Sequence, residues 1–331
     1  MLNLSTKFAA ALAVVALALT GCASGGAATS ASTPATSASS QGWPRTISHT
    51  KGETTINAKP TRIVSTSPTL TGTLLAIGAP VVASAATTPS DITDDKGFFG
   101  QWSKAAAEKG VEVLYPNLEF NEEAVLAADP DLIVVSATGA DATADQYDKL
   151  SAIAPTIVLN YGSASWQNLA GELAKATGQE DAAAATVASF DARVAEVKGK
   201  LSISDPSANV VVWNGAAKDT AFAKPGSPHA DLIDSLGFTV AGAADAVDTS
   251  TTKRNDFAFV SLENTVTALT GATVFVASGD EATATDLKNT AVLRNAPAVA
   301  NNKVIALGQH SFRIDYYSAL EIVALVEGAL A

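Results

Sequence analysis

The sequence predicts an α/β protein of two lobes joined by a single long helix, and three features of the pattern carry that expectation. Short β-branched runs alternate with helical segments between Arg62 and Asn160. The alternation is interrupted by one long helical stretch, Glu180 to Leu201, and restarts at Asn209. Such alternation predicts parallel sheets covered by helices. It also puts a ligand cleft outside the carboxyl ends of the strands, between the lobes.

In the first unit, Arg62-Ile63-Val64-Ser65 is a β-branched run closed by a Ser/Thr/Pro turn. Further strands are expected at 80–83, 111–114, 131–136 and 156–160, with helices near 70–77, 98–109, 121–128 and 143–153. In the long stretch, Ala183, Val187, Phe190, Val194, Val197 and Leu201 recur at three- and four-residue intervals with charged residues between them. That is the period of a helix with one apolar face. Beyond it, strands are expected at 209–213, 238–240, 272–277 and 303–307, and helices near 229–236, 262–269 and 291–298. The stretch HSFRIDYYSAL, His310 to Leu320, then leads into an apolar C-terminal helix. The expected organisation is a signal segment 1–21, a tether 22–42, a first lobe 43–179, a connecting helix 180–201 and a second lobe 202–331.

The first residues, MLNLSTKFAAALAVVALALTGC, run from Lys7 through an apolar stretch, Phe8 to Leu19, to Leu19-Thr20-Gly21-Cys22. The apolar stretch is too short to span a bilayer, and small residues precede the expected cut, so the segment reads as secretory. Cys22 is the only cysteine and cannot form an intramolecular disulfide. Its context resembles a bacterial lipobox, which implies acylation and stable attachment through more than one chain. Ala23 to Gly42 holds only small and polar residues plus Pro34, and reads as a disordered tether with a reach of about 25 Å. The expected location is extracytoplasmic, lipid-anchored to the outer face of the cytoplasmic membrane.

The formal charge is −12, and −13 once Lys7 leaves with the signal. No basic cluster is visible, which argues against nucleic acid as a partner. An anionic ligand would therefore need a locally basic pocket. The chain contains no GxSxG elbow, HExxH pair, Walker loop or GxGxxG turn, and its three histidines are widely spaced. A hydrolytic enzyme on an α/β fold stays only as a remote alternative.

The segments KPTRIVSTSPTLTGTLLAIGAPVVAS, NEEAVLAADPDLIVVSATG and LSAIAPTIVLNY, followed by the long helix, resemble the substrate-binding proteins of iron-siderophore, haem and cobalamin ABC importers. Within that group, DDKGFFGQWSK, SATGAD, YDKLSAIAPT, SWQNL and FRIDYYSAL look like the periplasmic ferric-enterobactin binders, over nearly all of Trp43 to Leu330. The resemblance implies two Rossmann-like lobes on one rigid helix, the class III periplasmic-binding-protein fold. It implies a monomer that captures a ferric siderophore, such as the tris-catecholate ferric enterobactin, and delivers it to an ABC permease. The same role for haem or a hydroxamate siderophore is the alternative. No resident cofactor is expected, because the siderophore already ligates the iron.

A bulky anionic catecholate calls for guanidinium groups and ring faces. Among the six arginines, Arg313 matches an arginine of the family motif, and Arg254 in TTKRNDF resembles a basic turn facing the cleft. Arg45, Arg62, Arg193 and Arg294 read as solvated positions. Trp102, Tyr115, Trp213, Phe312 and Tyr316 are candidate stacking surfaces, each weighed against core packing. Thr66, Ser67 and Thr138-Gly139 follow strands and are candidate donors. For haem, His310 and Tyr316 are the candidate axial ligands.

The sequence also departs from the family. SDITDDKG stands where an arginine is expected, and Ala223 where a tryptophan is; Lys224 is a candidate to replace lost charge. Permease docking, by resemblance, falls to Glu123 and Glu263, each near a helix start where the macrodipole also favours a carboxylate.

Overall fold

The computed structural model describes residues 42–331. Cys22, the signal segment and the tether up to residue 41 lie outside the described residues. A hairpin of β1 (Arg45–His49) and β2 (Gly52–Ile56) comes first. Then follow β3 (Ile63–Ser65), α1 (Pro68–Ala76), β4 (Val81–Ser84), α2 (Gly100–Glu108), β5 (Glu112–Val113), α3 (Glu122–Ala127), β6 (Leu132–Ser136), α4 (Tyr147–Ile153) and β7 (Thr156–Leu159). The strands form one sheet in the order β5-β4-β3-β6-β7, with every neighbouring pair parallel. Because helices cover both faces, β3, β6 and β7 are buried along their whole length.

The chain leaves this sheet through α5 (Trp166–Thr177) and α6 (Glu180–Lys200). Gly178, at φ +67°, ends α5 in the left-handed region, which separates the two helices. Glu180 and Asp181 in the first turn of α6, and Lys198 and Lys200 in its last, complement the helix dipole. Ala183, Phe190, Val194 and Val197 form its buried stripe.

The second lobe comprises β8 (Ser207–Val212), β9 (Thr220–Ala223), α7 (Pro228–Ser235), β10 (Thr239–Val240), β11 (Phe257–Val260), α8 (Leu262–Ala268), β12 (Thr273–Ala277), α9 (Glu281–Asn289), α10 (Pro297–Ala300), β13 (Val304–Ala306) and α11 (Tyr316–Leu330). The order is β11-β9-β8-β12-β13, with β10 beside the start of β8. This sheet is mixed rather than parallel: β9 runs antiparallel to β8, and β11 antiparallel to β9. Residues 213–219 alone join β8 to β9, too few for the crossover that a parallel pair requires.

One hydrophobic cluster runs through both lobes, taking in Leu70 and Trp102 from the first, Phe190 from α6, and Phe257 and Ile322 from the second. A second cluster fills the far side of each sheet. Two arginines expected to be solvated instead tie the frame together. Arg45 pairs with Glu180 at 2.5 Å, lies over the Trp43 ring and is 14% exposed. Arg193 pairs with Glu327 of α11 and with Glu196, and Lys200 reaches the same Glu327 at 2.8 Å. In both cases a carboxylate on a helix holds the guanidinium, which is largely buried for Arg45 and still 30% exposed for Arg193.

Candidate binding site

A cavity of about 510 Å³ opens between the lobes, a size that suits a small-molecule site. Its first wall comes from the region where the strand order reverses, between β3 and β6, and from the loop after β7. Thr69 and Thr73 of α1, Thr138 and Gly139 after β6, and Asn160 and Tyr161 after β7 line it.

Asp141 organises this wall from behind. It is 5% exposed and accepts from Ser67 Oγ at 2.5 Å, Tyr161 Oη at 2.7 Å and the Thr69 amide at 3.2 Å. Burial, with the nearby Asp141 charge, pushes the Tyr161 phenol far above its ordinary value, so it stays a neutral donor. Gly139 sits at φ +85°, and a Cβ there would meet Tyr161 Oη at 1.6 Å. Only glycine permits that approach.

The same network explains why Thr66 and Ser67 do not face the cleft as expected. Ser67 caps α1 and donates to Asp141, while Thr66 Oγ1 lies 2.7 Å from Thr143 Oγ1; both residues are buried. Thr69 and Thr73, on α1 itself, face the cavity instead.

The second wall carries the charge. Lys253, Arg254, Asn255 and Asp256 line it, so the basic turn does face the cleft. Arg254 grips Asp256 through Nε at 2.8 Å and Nη2 at 2.6 Å. Burial pushes the Asp256 carboxyl up, but the Arg254 guanidinium outweighs it and holds the group below its ordinary value. Lys253 Nζ donates to the Asp248 carbonyl at 2.7 Å and lies 3.4 Å from that residue's carboxylate. Lys224 does not reach the cavity: it is paired with Asp245 and Asp248, and Ala223 is buried in β9.

His229 of α7 also lines this wall. Its Nε2 donates to the Ser311 carbonyl at 3.0 Å, which leaves Nδ1 as a buried acceptor without a partner among the described residues. Burial lowers its pKa to about 4, so the ring is neutral.

Arg313 lies on the connection between β13 and α11 and borders the cavity together with Phe312. Its guanidinium is 4.6 Å from the Phe99 ring centroid and 5.7 Å from that of Phe312. Among the described residues it forms no ion pair. Asp315 instead caps α11 and is buried.

Four expected stacking residues lie elsewhere. Trp102 is 0% exposed, on the inward stripe of α2 against Phe98 and Phe99. Tyr115 is buried edge-on to Phe120 and donates to the Thr66 carbonyl. Trp213 joins the far-side core, where its indole donates to Asp286 at 2.6 Å. Tyr316 turns toward Trp166 of α5. The haem candidate His310 pairs with Glu321 and borders only a minor pocket. Glu123 and Glu263 are both exposed on the first turns of α3 and α8.

Sequence reasoning missed Tyr161, Thr69, Thr73, His229, Lys253 and Asp256. Tyr161 follows β7 just as Thr138-Gly139 follows β6, so position after a strand is the usable signal for it, and Lys253 adjoins Arg254.

A family model described as periplasmic binding protein matches residues 63–310. The ferric enterobactin-binding periplasmic protein FepB of Escherichia coli O6:H1 is 42% identical over 284 residues, covering 85% of this chain and 89% of that one. The probable siderophore-binding lipoprotein YfiY of Bacillus subtilis is 28% identical over 59% of this chain and 57% of its own. Among solved structures, holo-ViuP superposes with a TM-score of 0.81 at 38% identity, covering 88% of this chain and 96% of that one. Two α/β lobes with a cleft between them, and a family match across both, make this chain a member of the periplasmic binding protein family.

Proposed function

We propose that this protein captures a ferric siderophore outside the cytoplasm, a tris-catecholate such as ferric enterobactin, and hands it to an ABC permease. The charge of the cavity is the observation that carries the reading. In a chain of net charge −12, its walls gather Lys253, Arg254 and Arg313 against the one carboxylate of Asp256. A ferric tris-catecholate is a bulky anion whose iron is already ligated, so cations, donors and ring faces are what it needs from a protein. The identity to a protein named for ferric enterobactin binding supports the same ligand class. Haem has less support, since neither His310 nor Tyr316 lines the cavity. The role is binding rather than catalysis, as in the relatives named above.

Titration with ferric enterobactin, a ferric hydroxamate and haem in parallel tests the reading. Saturable binding of the catecholate at about −8 kcal/mol or stronger, with weaker binding of the other two, is the expected result. Tighter binding of the hydroxamate or of haem would overturn the catecholate assignment.

For delivery, Glu123 and Glu263 are the proposed permease contacts. Each has an exposed apolar residue one turn further along its helix: Leu126, 62% exposed, and Val266, 39% exposed. Reversing both charges to lysine should abolish cellular uptake and leave ligand affinity unchanged; normal uptake would remove them from the interface. Acylation at Cys22 completes the reading. Cys22→Ser should release the protein from the membrane fraction, and an unchanged distribution would exclude the anchor.

A further inference from the structure

Arg313 is held by rings rather than by a carboxylate. Phe99, 3% exposed at the start of α2 in the first lobe, lies against one side of its guanidinium, and Phe312 lies on the second-lobe side. Phe312 in turn stacks on Phe257 of β11 at 5.8 Å and 16°, and Phe99 meets Trp102 edge-on at 6.1 Å. A run of Phe257, Phe312, Arg313, Phe99 and Trp102 therefore crosses from one lobe to the other with the cation in its middle.

The acidic segment SDITDDKG is what sets Phe99 in place. Asp94 Oδ1 accepts from the amides of Lys96 at 3.0 Å and Phe98 at 2.9 Å, so this carboxylate is spent on the turn itself. Gly97, at φ +82°, closes the turn where a Cβ would lie 1.9 Å from the Thr87 carbonyl. Gly100 N then donates to the Ile92 carbonyl at 3.0 Å, which fixes the chain on the far side of Phe99.

We propose that Phe99 is the positioning residue for Arg313, a reading that rests on the cavity being a siderophore site. A guanidinium held by rings rather than by a carboxylate keeps N–H donors for ligand oxygens. The charge is also left uncompensated, so an anionic, oxygen-rich ligand meets a cation already in place and no ion pair has to be broken. The segment SDITDDKG thus acts on the ligand at second hand, by orienting Arg313.

The test combines Phe99→Leu and Arg313→Gln in a double-mutant cycle read by ferric enterobactin titration. Phe99→Leu should weaken binding about tenfold, Phe99→Tyr should restore it, and Phe99→Leu in the Arg313→Gln background should add no further loss. A readout without ligand separates this inference from the functional reading. In the free protein, the Arg313 Nε–Hε NMR signal, assigned by its loss in Arg313→Gln, should be ring-shifted upfield and should move downfield in Phe99→Leu. Equal losses in both backgrounds, or an Hε signal unmoved by Phe99→Leu, overturns the positioning role. A moved signal with no catecholate binding by the unmutated protein upholds the positioning role and sinks the ligand assignment.

Discussion

The two walls of the cavity are built on opposite plans. The first-lobe wall is neutral: threonine side chains, the amide of Asn160 and a phenol that burial keeps protonated, with the phenol and the Thr69 amide held by one carboxylate set behind them. The second-lobe wall is charged and sits on loops, with Arg254 and Lys253 each leaning on a neighbouring aspartate. Geometry is therefore fixed on one side and charge supplied from the other. The strongest way to break this contrast is Asp141→Ala. Ser67 Oγ, Tyr161 Oη and the Thr69 amide would lose a shared acceptor in a buried place, where each unsatisfied donor costs about 1–3 kcal/mol. We expect a loss of about 4 kcal/mol in urea unfolding, together with weakened binding. A loss below about 1 kcal/mol would mean that the wall does not depend on its hub.

The second wall has its own brace in His229, and pH tests it. The ring titrates near its ordinary 6.5 in the unfolded chain and near 4 in the fold. Between those values only the unfolded state takes up the proton, so the stability contributed by the neutral ring is full above pH 6.5 and is lost as pH falls toward 4. The size is about 3 kcal/mol. Asp315 works the other way, because burial raises its pKa from 3.8 to about 6. Over that range the folded state binds the proton first, and stability rises as pH falls. His229→Gln should therefore unmask the Asp315 trend. The stability advantage of the unmutated protein over the variant should shrink by about 3 kcal/mol between pH 7 and pH 4; a constant difference would show that His229 does not titrate as its burial demands.

How much of this was legible in the sequence follows from the same physics. Strands β3, β6 and β7 are buried on both faces and read as unbroken apolar runs, and α6 shows a clean helical period. The hairpin RTISH and GETTI is half-exposed and largely polar, and TAFA and FAFV are too short to announce an antiparallel pair. Helix α5 does carry Trp166, Leu169, Ala170 and Leu173 at helical spacing, a signal that the alternating strands obscure. Within the site, Arg313 and Arg254 stood out by their resemblance to a family motif and a family basic turn, and Thr138-Gly139 because it follows a strand. Trp102, Tyr115, Trp213 and Tyr316 did not separate, since an aromatic residue looks the same in sequence whether its ring faces a core or a cleft. The Asp141 hub depends on residues 20 and 74 positions away, which no local pattern reports.

The smallest expected effect sharpens the contrast between the two arginines of the cleft. Arg313 lies over the Phe99 ring and is unpaired among the described residues, whereas Arg254 spends its Nε and Nη2 on Asp256. An incoming anion must compete with that carboxylate for Arg254, but meets no such rival at Arg313. Asp256→Asn removes the competing charge and keeps an oxygen that can accept from the Phe257 amide, as Asp256 Oδ1 does at 2.9 Å. Because Arg254 is 47% exposed, solvent screens the pair, and about 1 kcal/mol or less is at stake. Affinity for the ferric catecholate should rise up to about fivefold at low salt. The gain should fade as ionic strength rises, since the freed charge acts through solvent. A loss of affinity instead would mean that Asp256 orients Arg254 for the ligand, so that the charged wall, like the neutral one, is organised from behind by a carboxylate.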